Sequence, residues 1–294
     1  MSQSPPLVSI ASEGLSAQID PFGAQLSALR DDQGRDLLWD GDPAIWAGRA
    51  PILFPIVGEL NQGGYRVDGL TYRLPRHGLA RRRLFTLAEH TVSLARFRLT
   101  WDDETLAIYP FQFELDLTFA LAGACLTMTA SIANRGEASM PASFGYHPAF
   151  RWPLPYGAER AEHRIRFATE EAAPVRRIDD AGLVKAQTFP SPVSGRDLPL
   201  ADALFVDDAL IFDPLASGAL SYGPADGPHL QIGFEGAPYL GLWSKPGAPF
   251  VCVEPWWGIA DPEGFAGDFR QKPGVFEVAP GDQRDLTMTV TLQT

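Results

Sequence analysis

Apolar and polar residues alternate with a period of two along most of this chain. Phe113, Leu115, Leu117 and Phe119 alternate with Gln112, Glu114, Asp116 and Thr118, the pattern of a half-buried β-strand. Leu126, Met128, Ala130 and Ile132 repeat it just after Ala122-Gly123-Ala124, which predicts a hairpin or tight connection. Leu286, Met288, Val290 and Leu292, interleaved with threonines, predict a final strand. Residues 65–74 carry Asp68-Gly69 between two short runs, a hairpin turn signal. Further strands are expected near 6–11, 16–19, 25–30, 84–88, 93–101, 163–168, 209–213, 229–234, 239–244 and 250–254. Helical periodicity is almost absent. One short helix or turn is expected at 42–47, with Asp42 as cap and Pro43 at the first position, where a missing N–H costs nothing. The proline-rich stretch 151–202 reads as a long irregular excursion over the surface. The 28 glycines and 26 prolines are spread throughout, which fits many turns between short strands rather than a linker. The pattern predicts one all-β domain over residues 1–294, a large antiparallel sandwich or barrel.

Composition narrows the partners. A net charge of −12 argues against nucleic acid, because a phosphate backbone needs a Lys/Arg-rich surface. No apolar run reaches the length of a membrane span, so no membrane partner is expected. The start, Met1-Ser2-Gln3-Ser4-Pro5-Pro6, lacks the basic and apolar regions of a secretory signal. Cys125 and Cys252 cannot build a four-cysteine zinc site and call for no disulfide, so a cytoplasmic location is expected. The densest positive cluster is Arg76, Arg81, Arg82 and Arg83, which reads either as a solvated loop or as a local anion site.

Three short segments carry candidate chemistry: Leu74-Pro75-Arg76-His77-Gly78, Phe144-Gly145-Tyr146-His147-Pro148 and Val251-Cys252-Val253-Glu254-Pro255-Trp256-Trp257. Two of the five histidines and one glutamate stand in them beside Gly, Pro and aromatic residues. Such a set fits an aromatic-walled pocket doing acid/base work on a polar, uncharged small molecule, a sugar above all. From local sequence alone each also reads as structure. Glu254 fits a sheet edge paired to an arginine, His147 a core histidine bonded to a carbonyl, His77 a turn histidine, and the aromatics ordinary core. Glu254 is expected at the end of its strand, with Pro255 stopping the ladder. Metal binding by His77 and His147 has no supporting ligand spacing, and no metal or cofactor is expected.

Taken in order with Ala50-Pro51-Ile52-Leu53-Phe54-Pro55-Ile56-Val57-Gly58 and Asp207-Asp208-Ala209-Leu210-Ile211-Phe212, these segments resemble the aldose 1-epimerase (galactose mutarotase-like) family, its bacterial LacX-type branch in particular. The resemblance implies a galactose mutarotase-like β-sandwich with the sugar lying across one concave sheet. It implies a cofactor-independent mutarotase acting on a hexose, with Glu254 as general base at O1 and His147 as general acid at the ring oxygen O5. His77, Asp208, Arg81, Arg49 and Trp257 are the expected substrate-binding residues, and the protein is expected to be a monomer or homodimer. Relatives commonly carry arginine after Pro-Ile-Val-Gly where this chain has Glu59, so Arg49 or one of Arg81, Arg82 and Arg83 is expected to substitute. Three alternatives remain open at this level: a hexose-phosphate epimerase, a sugar-binding protein without turnover, and a glycoside hydrolase using Glu254 with Asp208.

Overall fold

The two long alternating runs form the middle of the larger sheet in the computed structural model, which describes residues 5–294. Met1–Ser4, the start of the segment read for a secretory signal, lies outside the described residues. Phe113–Ala122 and Cys125–Asn134 pair antiparallel around Gly123-Ala124, and Gln283–Gln293 lies against the other edge of Cys125–Asn134. Gly123 has φ +55°, a left-handed conformation that glycine adopts without a Cβ clash. Inward side chains of these strands, such as Leu117, Met128 and Met288, are buried, as the alternation requires.

Among the described residues this sheet has nine strands, flanked by Leu94–Thr100 and Thr86–His90 on one side and by His229–Gly233, Ala219–Gly223, Arg164–Phe167 and Asp197–Pro199 on the other. A second sheet of eight strands packs over it. Its order is Val184–Phe189, Val175–Ile178, Leu210–Phe212, Tyr239–Trp243, Phe250–Trp257, Phe144–Tyr146 and Ile52–Leu53, with Ala149–Arg151 also paired to Phe250–Trp257. Apolar side chains of both sheets merge into one core, which includes Val251, Val253 and Trp257 from the second sheet and Leu117, Met128 and Met288 from the first. Tyr146 stitches the layers together, its hydroxyl donating to Met128 O and Leu286 O at 3.0 and 2.9 Å. The result is the large antiparallel sandwich that the alternation predicts.

Four features differ from the sequence expectations or narrow them. Segment 151–202 is not irregular: besides Arg164–Phe167 it holds Val175–Ile178, Val184–Phe189 and Asp197–Pro199, strands too short and too exposed to alternate clearly. Residues 42–47, expected as a short helix or turn, are the turn, with Trp46 N–H donating to Asp42 O and the Asp42 carboxylate accepting from Ala44 N–H. The α-helical turn lies instead at Asp103–Leu106, where Asp102 and Thr105 form a reciprocal capping box. Finally, the Glu254 strand does not stop at Pro255 but runs from Phe250 to Trp257. Val253 N–H donates toward Pro148 O, and in a strand the nitrogen two residues on faces the same side. Pro255 therefore turns its missing N–H toward the break at His147-Pro148 between two neighbouring strands, where no ladder bond is lost.

Candidate active site

That break builds the site. Phe144–Tyr146 pairs with Trp256 and Trp257, and Ala149–Arg151 pairs with residues 250–252, so His147 and Pro148 are left unpaired opposite Glu254. Cys252, Glu254 and Trp256 lie on one face of their strand, and Val253, Pro255 and Trp257 on the other. The outer face carries a cavity of about 320 Å³ lined by Glu254, His147, His77, Arg81, Asp208 and Trp256, with Trp46 and Trp243 among its walls. Trp256 lies flat over its neighbouring strands. A Cβ at Gly241 or Gly145 would meet its indole at 2.4 or 2.7 Å, so both positions need glycine for this floor to form.

His147 Nε2 lies 3.3 Å from Glu254 Oε2, and both side chains are buried. Burial pushes the Glu254 carboxyl well above its ordinary range, while the Trp256 indole, Arg76 and Arg81 pull the other way. Burial, with Arg81 and Arg76 nearby, lowers His147 to about 3. Trp46 stacks on the His147 ring at 5.2 Å between centroids, and Trp243 meets it edge-on at 6.0 Å. Cys252 adds a third donor: one atom each of His147, Cys252 and Glu254 lies within 4.8 Å of the others, a set able to hold a metal ion.

His77 sits in a tight loop at φ +66°, followed by Gly78 at +77°. Its backbone N–H donates to Gly58 O, and Gly58 N–H donates to its Nδ1 at 3.1 Å. Arg76 Nε–H points at Nε2 from 3.3 Å, so both ring nitrogens face donors although a neutral imidazole accepts at only one of them. Burial, His147 and the arginines hold its pKa well below the ordinary value, so the ring is neutral. Asp208 also has a left-handed backbone, at φ +63°, and accepts from Ala209 N–H at 2.7 Å. Asp208, the expected member of the Asp207-Asp208 pair, lines this cavity, and Asp207 does not.

Two expected binding residues lie elsewhere. Arg49 is tied to the backbone, its Nε donating to Asp40 O and Nη1 to Ser27 O, and it does not line the cavity. Trp257 points into the core, where its indole N–H donates to Gly236 O, because a one-residue step along a strand changes the face. Of the arginines expected to stand in for the family residue at Glu59, Arg81 lines the cavity while Arg83 pairs with Glu104 at 2.6 Å. Glu59 itself accepts from Leu60 N–H and acts on the buried Lys272, which pairs with Asp261 at 2.9 Å. Trp46, Trp243 and Lys245 line the cavity without having been singled out by the sequence reading. Strand pairing is the missing signal for Trp243, which stands opposite Cys252 on the neighbouring strand.

The sequence and the fold match known proteins over nearly the whole chain. The aldose 1-epimerase family model matches residues 6–258. The plasmid-encoded LacX protein of Lactococcus lactis subsp. lactis is 31% identical over 97% of this chain and 99% of its own length. A galactose mutarotase related enzyme from Lactobacillus acidophilus superposes with a TM-score of 0.90 at 29% identity, covering 98% of both chains. A galactose mutarotase-like protein from Lactobacillus casei gives a TM-score of 0.90 at 27% identity, covering 98% of this chain and 100% of its own. With a buried carboxylate and imidazole meeting across a strand break on a mutarotase-like sandwich, this chain belongs to the aldose 1-epimerase family.

Proposed function

We propose that the protein is an aldose 1-epimerase that interconverts the α and β anomers of a hexose, with Glu254 and His147 moving the two protons. The observation that carries this reading is the 3.3 Å contact between Glu254 Oε2 and His147 Nε2 in a buried, aromatic-walled cavity. Ring opening needs a base at the O1 hydroxyl and an acid at O5, and ring closure after rotation about C1–C2 reverses both transfers. The pair holds one proton for this work. Moved from Glu254 to His147, it leaves a carboxylate to take the O1 proton and an imidazolium to protonate O5. Both shifts keep the proton on Glu254 in the empty cavity, so the imidazolium is the minor form and, once formed, a strong acid toward O5. Arg76 and Arg81 help ionise the carboxyl.

His77 and Arg76 position the sugar in this reading. A sugar oxygen accepting from Arg76 Nε leaves His77 Nε2 free to carry the ring proton and donate to the same oxygen. Asp208 accepts from a ring hydroxyl, and Trp46, Trp243 and Trp256 offer faces to the sugar's C–H surface. A hexose phosphate is a second reading, supported by Arg76 and Arg81, which line the cavity without an ion pair among the described residues. Exchange between the anomeric proton signals of equilibrated glucose and galactose, followed by NMR, tests the first reading. Catalysed exchange that is lost in His147→Ala is expected. Exchange no faster than buffer for both hexoses, with glucose 6-phosphate exchanged rapidly, transfers the reading to the phosphate.

A further inference from the structure

The His147 imidazole is held by a polar partner at one nitrogen only. Its Nε2 faces Glu254 Oε2 at 3.3 Å, while Nδ1 is buried with no hydrogen-bond partner on any other residue among those described. An imidazole that moves protons commonly has its second nitrogen bonded to a carbonyl or carboxylate, which fixes the ring and favours its charged form. With the pair's proton on Glu254, the neutral ring carries its own hydrogen on Nδ1, and no neighbour accepts it. What surrounds the ring is aromatic instead. Trp46 stacks on it with 25° between the planes and 5.2 Å between centroids, and Trp243 and His77 meet it edge-on at 6.0 and 5.9 Å.

Trp46 stands on the turn that follows Asp40, and that turn is tied down at several points. Arg49 Nε donates to Asp40 O at 2.6 Å and closes its base. Trp46 N–H donates to Asp42 O at 2.8 Å, the Trp39 indole N–H donates to Trp46 O at 2.9 Å, and Lys245 Nζ donates to Ile45 O. The Trp46 ring also packs 5.4 Å from both Trp243 and Phe250. A Cβ at Gly48 would meet the indole at 2.4 Å, so only glycine lets it lie there. We infer that Trp46 is a positioning residue for the reaction, its indole face serving in place of an Nδ1 partner to hold the His147 ring and to stabilise the imidazolium as a cation over a π system. The inference rests on the epimerase reading, in which the imidazolium is the transient acid. Arg81 and Arg76 disfavour that charge, and the indole face works against them.

The test separates kcat from KM for glucose and galactose with the wild type, Trp46→Phe and Trp46→Leu. Loss of the π face in Trp46→Leu is expected to lower kcat by about tenfold or more while KM stays within about threefold. Trp46→Phe keeps a smaller face and is expected to retain most of kcat. A raised KM with kcat unchanged in Trp46→Leu would overturn the inference, because the indole would then serve the sugar and not the imidazole. Equal losses of kcat in both variants would also overturn it, since the aromatic face would not be what matters. Proton NMR reads the stack without turnover and, in the wild type, without any variant having to fold. The His147 imidazole signals, assigned by their absence from His147→Ala, are expected upfield of ordinary histidine positions under the indole ring current, and to move back downfield in Trp46→Leu. Signals at ordinary positions in the wild type would overturn the inference. If the wild type turns over no sugar, the epimerase reading fails by itself, and these signals still decide whether Trp46 holds the ring.

Discussion

Glu254 and His147 compete for one proton in a place where neither charge is well solvated, and the consequence reaches beyond catalysis. Burial raises the Glu254 pKa, so the folded protein holds this proton at pH values where the unfolded chain, with an ordinary value of 4.5, has released it. The folded-state advantage is therefore present below about pH 4.5 and is lost as pH rises toward the raised value. Glu254→Gln removes the titration, and the variant is expected to melt at a higher temperature than the wild type at pH 8, with a smaller difference at pH 4. Calorimetric melting at the two pH values checks this, and a variant less stable at pH 8 speaks against a strained buried carboxyl. His147 acts in the opposite window. The unfolded imidazole gains a proton near its ordinary 6.5 while the folded one waits until about 3, so stability falls as pH drops between those values. At this scale much of the site was legible: Glu254, His147, His77, Arg81 and Asp208 stand in short segments whose neighbours are unusual, and all five line the cavity. Arg49 and Trp257 were not legible as structure. Their side chains are directed by a backbone bond to Asp40 and by strand parity, neither of which local composition encodes.

At the scale of elements, the working parts are a strand break and a tight loop. His77 and Gly78 turn back against Phe54, with Leu79 N–H donating to Phe54 O at 2.9 Å. A Cβ at Gly78 would meet Phe54 O at 2.2 Å, and φ there is +77°. Backbone cannot swing aside as a side chain can, so Gly78→Ala is expected to cost about 1–3 kcal/mol and to displace His77. Denaturant unfolding measures the first effect, and a raised KM with kcat less affected reports the second. The long hairpin and the final strand were readable because their alternation spans many residues. The short strands Val175–Ile178 and Val184–Phe189 carry too few inward positions to show a period, although Ile178 of the first supplies part of a wall of the site. Pro255 misleads for a physical reason: proline ends a ladder only where its nitrogen faces a partner, and here it faces the His147 break.

On the scale of the whole molecule, the sandwich acts as a rigid mount. Tyr146 follows the glycine beneath the Trp256 indole and precedes His147, and its hydroxyl reaches two carbonyls of the opposite sheet. Tyr146→Phe leaves those carbonyls without this donor inside the core, at an expected cost of about 1–3 kcal/mol in chemical denaturation. A loss in kcat accompanying it would show that the second layer helps to set the position of His147. No helix among the described residues is long and apolar enough to cross a membrane. The acid/base account of the cavity is tested most directly by polarimetry of freshly dissolved α-glucose and α-galactose with the wild type and Glu254→Gln. Acceleration over buffer by the wild type, falling by at least about a hundredfold in the variant, is the predicted result. A Glu254→Gln protein that remains as fast as the wild type would contradict the assignment of Glu254 as the base.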